Sequence, residues 1–226
     1  MARFRRLDVL MAITGSGLVP VFYHPELEVA LEVARACERG GARCFEFTHR
    51  GDLAHRVFEQ LIERLSREAP DMILGVGSIG EPCTAALYLA AGANFVVGPV
   101  LSPEVAQLCN RRKVPYSPGC GSATEIARAE ELGCEVIKVF PGDAVGGPGF
   151  VRAILGPSPW TSLMPTGGVD ATEESLRAWF RAGVVAVGMG SKLITRDVVE
   201  RRDWNAVEAR VREVLAWIRE TREEQR

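Results

Sequence analysis

Short apolar runs rich in strand-forming residues recur eight times along the chain, and segments of helical periodicity separate them. This alternation constrains the fold more than any other feature. The runs are LVPVFY (18–23), RCFEFT (43–48), MILGVGS (72–78), NFVVGP (94–99), VPYSPG (114–119), EVIKVF (135–140), SLMPTG (162–167) and VVAVGM (184–189). The clearest helical pattern sets Leu53, Val57, Phe58, Leu61, Ile62 and Leu65 on one face. Others run near 26–39, 82–91, 103–111, 123–132, 148–155 and 172–182. Ser102 before Pro103 reads as an N-cap with proline at the first helical position. Ser122 with Glu125, and Asp170 with Glu173, resemble capping boxes. Gly40, Gly92, Gly133 and Gly183 fall where helices should stop.

Strands that strictly alternate with helices are parallel and joined by right-handed crossovers. Eight such units in 226 residues predict an α/β fold, a (β/α)8 TIM barrel of eight parallel strands in a single domain spanning 1–226. The alternative is an open doubly wound sheet. Its usual G-x-G-x-x-G signature is missing after the first strand, where LVPVFYHPELE has no glycine at the turn. The start, MARFRRLDVLMAIT, is basic and then apolar like a signal peptide, but Asp8 interrupts it and no A-x-A site follows. It reads instead as an extra N-terminal helix over about 2–14, with Phe4, Leu7, Leu10 and Met11 on its apolar face. A C-terminal helix over about 204–222 carries Val207, Val211, Leu215 and Ile218, and the charged tail RETREEQR is expected to fray.

Composition excludes several classes of partner. The net charge is −2 and the basic residues are interspersed with acidic ones, so no stripe argues for nucleic acid. No apolar run approaches the ~20 residues that span a bilayer. The six cysteines, at 37, 44, 83, 109, 120 and 134, form neither C-x-x-C nor a zinc spacing, and read as buried thiols of a cytoplasmic protein.

The chemistry is concentrated where a barrel of this kind keeps it, at the C-terminal ends of the strands. Lys138 lies in VIKVF, a run apolar enough to be buried on both faces, so its ammonium must be paired, neutralised or used. Glu46 lies in FEF and shares that oddity, and Glu46, Thr48 and Arg50 alternate onto one side of their strand. The pair could be a structural ion pair, which desolvation makes a weak stabiliser. It could also join a partly neutral lysine nucleophile to a carboxyl that shuttles protons. Ser78 ends the third strand, Phe140 the sixth, and Thr166, Gly167 and Gly168 the seventh. Gly188, Gly190 and Ser191 end the eighth. PTGG and GMGS therefore close neighbouring strands at a corner where barrels often bind phosphate through backbone N–H groups. His24, His49 and His55 are the only histidines; His49 alternates away from Glu46 and His55 falls in the next helix, so no metal is expected.

Glu-x-Thr-x-Arg at 46–50, G-x-G-S at 75–78, PG at 118–119, IKVFP at 137–141, PTGG at 165–168 and GS at 190–191 occur in this order. Together they resemble the 2-keto-3-deoxy-6-phosphogluconate (KDPG) aldolase family, which includes 4-hydroxy-2-oxoglutarate (KHG) aldolases, over about residues 15–195. The resemblance implies a class I, metal-free and cofactor-free lyase, a homotrimer on a TIM barrel, serving the Entner–Doudoroff route of carbohydrate metabolism. Its substrate would be a small-molecule 2-keto acid, most simply KDPG, cleaved to pyruvate and glyceraldehyde 3-phosphate. Carried over by position, Lys138 is the Schiff-base lysine and Glu46 the acid/base. Arg50 holds the carboxylate, with Ser78 near the same end, and Phe140 packs beside the lysine. Thr166 lies in the distal hydroxyl region, and Gly167, Gly168, Gly190 and Ser191 in the phosphate region. Three departures stand out. Gly142 and Asp143 occupy positions where the family commonly has alanine and glutamate, Ser78 replaces threonine, and Tyr23 and His24 stand where some members place an arginine. In the family, threonine in PTGG accompanies the gluconate-derived substrate and valine its galactonate epimer, so Thr166 favours KDPG. KHG or the galactonate epimer on the same chemistry, a sugar-phosphate isomerase with Glu46 as base, and a non-catalytic binding barrel are the competing expectations. A metal-free lyase should keep full activity in excess chelator; loss restored by a divalent cation, in an aldol-cleavage assay, would overturn that expectation.

Overall fold

Parallel strands and helices alternate through residues 2–225, which the computed structural model describes. The strands are β1 (Leu18–Phe22), β2 (Cys44–Thr48), β3 (Ile73–Gly77), β4 (Val96–Val97), β5 (Tyr116–Ser117), β6 (Gly119–Cys120), β7 (Ile137–Val139), β8 (Leu163–Pro165) and β9 (Val187–Met189). The helices are α1 (Arg6–Ser16), α2 (Leu27–Arg39), α3 (Ala54–Glu68), α4 (Pro82–Ala91), α5 (Pro103–Arg112), α6 (Ala123–Glu131), α7 (Gly147–Leu155), α8 (Glu173–Arg181), α9 (Arg196–Glu200) and α10 (Trp204–Glu224).

The strands form a curled six-stranded parallel sheet, in the order β5-β4-β3-β2-β1-β9, and a three-stranded one, β6-β7-β8. Eight unbroken strands in one sheet, as the sequence predicts, are therefore not what the hydrogen bonding describes. The cause is local. The run at 114–119 contains Pro115 and Pro118, neither of which has an N–H to give to a ladder. It divides at Pro118 into β5, which pairs with β4, and β6, which pairs with β7. β8 and β9 meet only through the Thr166–Gly188 bridge and the Val185 N–H, which donates to the Leu163 carbonyl at 3.0 Å.

The period of two along each strand sorts side chains into two cores. Phe45, Phe47, Leu74, Val76, Ile137, Val139 and Val187 pack outward, with Phe58, Leu61, Leu176 and Val211 of the helices. Val19, Cys44, Ile73, Phe95, Val136, Met164 and Ala186, near the strand starts, form a separate inner cluster, against which Val9, Leu10 and Ile13 of α1 are buried. Two and four residues further along the same strands, alternation turns Glu46 and Thr48, Gly75 and Gly77, and Lys138 and Phe140 to that inner side.

Several local expectations shift. α1 begins at Arg6 rather than residue 2, and its buried face is Val9, Leu10 and Ile13, whereas Leu7 and Met11 are 70% and 71% exposed. The helix lies across the strand starts, so the residues facing the inner cluster are buried whatever the helical wheel alone suggests. Thr172, not Asp170, caps α8 by accepting from the Ser175 N–H, and Asp170 instead pairs with Lys192 at 3.1 Å. The described part of the C-terminal tail is helical to Glu224 and tied down: Arg222 donates to the Gly15 and Thr14 carbonyls at 2.8 and 2.9 Å, and Glu224 pairs with Arg177 at 2.6 Å, while Arg226 lies outside the described residues. The short α9 has no apolar stripe to announce it. Five cysteines are buried as expected, while Cys83 is exposed. No helix among the described residues is long and apolar enough to cross a membrane. Ile13→Ala should destabilise the protein by about 2–4 kcal/mol, as core truncations do. Leu7→Ala should stay within about 0.5 kcal/mol. Urea unfolding of the two variants measures both.

Candidate active site

Glu46 and Lys138 are 1% and 6% exposed. β2 and β7 carry them to the same inner side of the fold, and each acts on the other's charge, though no ion pair or hydrogen bond joins them. Burial raises the Glu46 carboxyl above its ordinary pKa, against the opposing pull of Lys138 and then Arg50. Burial likewise depresses Lys138; Glu46 opposes that shift and Arg50 adds to it. Both groups are thus pushed toward their neutral forms, the pattern expected of ions that have lost their water without gaining a close partner. The Lys138 ammonium sits over the Phe140 ring, 4.5 Å from its centroid.

Glycines make the room. A Cβ at Gly77 would lie 1.7 Å from Glu46 Oε1, so any side chain there would occupy the place of the carboxyl. A Cβ at Gly188 would lie 2.4 Å from Thr166 Oγ1. Gly119, the register partner of Lys138, would push a Cβ to within 2.3 Å of the Pro99 carbonyl oxygen.

A cavity of about 630 Å³ opens at the strand ends. Arg50, Phe140, Thr166, Gly167, Gly168, Gly190 and Ser191 all line it. Lys138 and Glu46 do not reach its wall: they lie beneath it, and the Phe140 ring is shared between the lysine and the cavity. Ser78 is also absent from the lining; it is half-buried at the end of β3 with φ +63°, an uncommon conformation for a residue with a side chain. Arg50 is exposed and forms no ion pair among the described residues. Lys192, in the turn after the GS motif and paired with Asp170 at 3.1 Å, and Arg196, at the start of α9 and paired with Glu200 at 2.6 Å, line it too, as does Glu200; the sequence reading missed them because they follow the GS motif with no pattern of their own. Tyr23 and His24 line it as well. A larger cleft, about 830 Å³, opens between α1 and α10, away from these groups.

Two departures from the resembled pattern have a packing reason. A Cβ at Gly142 would lie 2.6 Å from the Gly167 carbonyl oxygen, and the Asp143 side chain fills the space beside Gly168, whose φ is +70°. Two of the histidines have hydrogen bonds of their own. His49 Nδ1 is 2.9 Å from the Tyr88 hydroxyl, and His24 Nδ1 accepts from the Glu26 N–H at 3.1 Å. Among the described residues no cluster of three His, Cys, Asp or Glu side chains is placed to hold a metal ion.

The sequence pattern of the family described as KDPG and KHG aldolase matches residues 10–210. The chain belongs to that family. It is an aldolase, a lyase of the class I, Schiff-base type. The 2-dehydro-3-deoxy-phosphogluconate aldolase of Pseudomonas aeruginosa is 37% identical over 211 residues, 93% of this chain and 92% of that one. The enzyme of the same name from Dickeya dadantii is 31% identical over 204 residues, 90% and 93% of the two chains. Among solved structures, KDPG aldolase from Legionella pneumophila superposes with a TM-score of 0.81 at 28% identity, covering 90% of this chain and 96% of that one. In that structure pyruvate is captured as a covalent carbinolamine intermediate.

Because the folded pKa of Glu46 is raised, ionisation costs the native state more than the unfolded one. Its contribution to stability is whole below the unfolded carboxylate pKa and lost as pH rises through the folded one. In a Lys138→Met background, which removes the coupled amine, adding Glu46→Gln should leave the urea midpoint unchanged below about pH 4. The midpoint should then rise relative to Lys138→Met as pH increases through the carboxylate range.

Proposed function

We propose that Lys138 and Glu46 carry out class I aldol cleavage of a 2-keto-4-hydroxy acid, with KDPG as the substrate and KHG as the alternative on the same chemistry. The observation that carries this reading is the pairing of a depressed lysine and a raised, unbonded carboxyl beneath a cavity that offers Arg50 at one end and a glycine corner at the other. Neutral Lys138 attacks the C2 ketone. Glu46 protonates the carbinolamine hydroxyl, water leaves, and the nitrogen lone pair forms the iminium. Glu46, now a carboxylate, takes the proton of the C4 hydroxyl as the C3–C4 bond breaks, and its electron pair passes into the iminium to give the enamine. The aldehyde departs; the enamine is protonated at C3, and hydrolysis frees pyruvate. Arg50 pairs with the substrate carboxylate and turns the ketone toward the amine. Ser78, half-buried at the close of β3, serves that same end. Thr166 meets the C4 hydroxyl, and Gly167, Gly168, Gly190 and Ser191 hold the phosphate, with Lys192 and Arg196 adding positive charge.

The supporting frame follows the same reading. The two sheets are arcs of one closed (β/α)8 barrel in one domain, since a single proline separates β5 from β6 and a bridge links β8 to β9. The chain assembles as a cytoplasmic homotrimer, for which exposed Leu53, Leu87, Val100 and Trp160 offer apolar surface, and works in the Entner–Doudoroff route. Pyruvate with borohydride should leave a stable adduct on Lys138, located by mass spectrometry, and Lys138→Ala should abolish both adduct and cleavage. An isomerase or a binding protein would give no adduct. Ser191→Asp should raise KM for KDPG about tenfold or more while changing that for KHG less; equal effects would remove the phosphate from this corner.

A further inference from the structure

Three buried side-chain oxygens among the described residues lack a protein hydrogen-bond partner: Glu46 Oε2, Thr48 Oγ1 and Thr166 Oγ1. The reaction proposed above uses Glu46 and Thr166. It gives Thr48 no task, although Thr48 is 1% exposed. A hydroxyl buried without a partner is a cost that the isosteric valine would avoid, so its presence here calls for a reason.

The register of the sheet supplies one. Glu46 and Thr48 point to the same side of β2. Thr48 pairs with Gly77 across the β2–β3 ladder. Gly77 is also the residue over which the Glu46 carboxyl folds, with Oε1 only 1.7 Å from where a Cβ would stand. The carboxyl therefore reaches along the strand to the level of Thr48, on the same inner face, and adjacent strands lie about 4.8 Å apart. The register thus sets the hydroxyl and the carboxyl on one face at about the same level of the sheet, and no hydrogen bond joins them. A water needs two or more polar partners to be held in such a place, and these two oxygens supply them.

We infer that Thr48 is a positioning residue of the proton shuttle: its hydroxyl holds, beside the Glu46 carboxyl, the water through which Glu46 gives and takes protons. This rests on the reading of Lys138 and Glu46 given above. In carbinolamine dehydration the Glu46 proton passes to this water, which passes one of its own to the carbinolamine hydroxyl. The C–O bond breaks, water leaves, and Glu46 is left as the carboxylate. In enamine protonation the same path delivers a proton to C3 from the carboxyl. The charged groups that bear on Glu46 are Lys138 from β7 and Arg50 beyond β2; the Thr48 hydroxyl adds an uncharged contact that favours the carboxylate through the water.

The test compares Thr48→Val and Thr48→Ser with the parent. The readouts are cleavage kinetics, exchange of pyruvate methyl protons with D2O by NMR, borohydride trapping of Lys138, and thermal midpoint. Thr48→Val should lower kcat and methyl exchange about tenfold, with KM changed less than about twofold, and move the acidic limb of the kcat profile to higher pH. It should still trap pyruvate on Lys138 and melt no lower than the parent. Thr48→Ser should restore both rates to within about threefold of the parent. Full exchange in Thr48→Val, a serine variant as slow as the valine one, or a valine variant that fails to fold would each overturn the inference. Failure of the parent to trap pyruvate would instead overturn the reading of Lys138.

Discussion

A carboxyl and an amine share the dry interior of this fold without touching, and much of the surrounding structure exists to keep them that way. In water two such groups would be fully charged. Here burial makes each charge costly, and each is only partly restrained by the other's field. A close ion pair would fix both charges and leave the lysine protonated. Separation with mutual influence leaves a fraction of neutral amine and a carboxyl able to hold a proton. The inner apolar cluster beneath, closed from below by Val9, Leu10 and Ile13 of α1, keeps water from reaching the pair along that side. Gly77 and Gly188 leave the room that the Glu46 and Thr166 side chains fill.

Of the charged groups lining the cavity over this pair, Arg50 has no ion-pair partner among the described residues, whereas Lys192 is paired with Asp170 and Arg196 with Glu200, which lines the cavity too. Arg50 stands beyond β2, and Lys192 and Arg196 beyond β9, with β1 between those strands. The residues at 142 and 143 that depart from the common family pattern do so in concert. The small one sits against the Gly167 carbonyl and the short acidic one beside Gly168, so the backbone of the corner keeps its course.

Much of this was legible one residue at a time. An acidic residue in FEF and a lysine in VIKVF announce themselves because an ion between strand formers has no way to stay solvated. Ser102 before Pro103 gave its helix start correctly, since the cap is a local bond that Ser102 Oγ accepts from the Val105 N–H. Asp170 did not cap, because a nonlocal ion pair with Lys192 took it and Thr172 sat two residues closer to the helix. Leu7 and Met11 read as core and are exposed, because an amphipathic pattern names a face without saying what will cover it.

The sequence by itself determined the alternation of elements, the buried charges and the strand-end motifs, since each rests on interactions within a few residues of chain. Only the tertiary structure decided that Gly77 makes room for Glu46, that the Phe140 ring is shared between the lysine and the cavity, that Lys192 and Arg196 line that cavity, and that Thr48 lies in register with the glycine over which Glu46 folds. Those relations span strands far apart in sequence, and they depend on register and on the curl of the sheet, which no local pattern encodes.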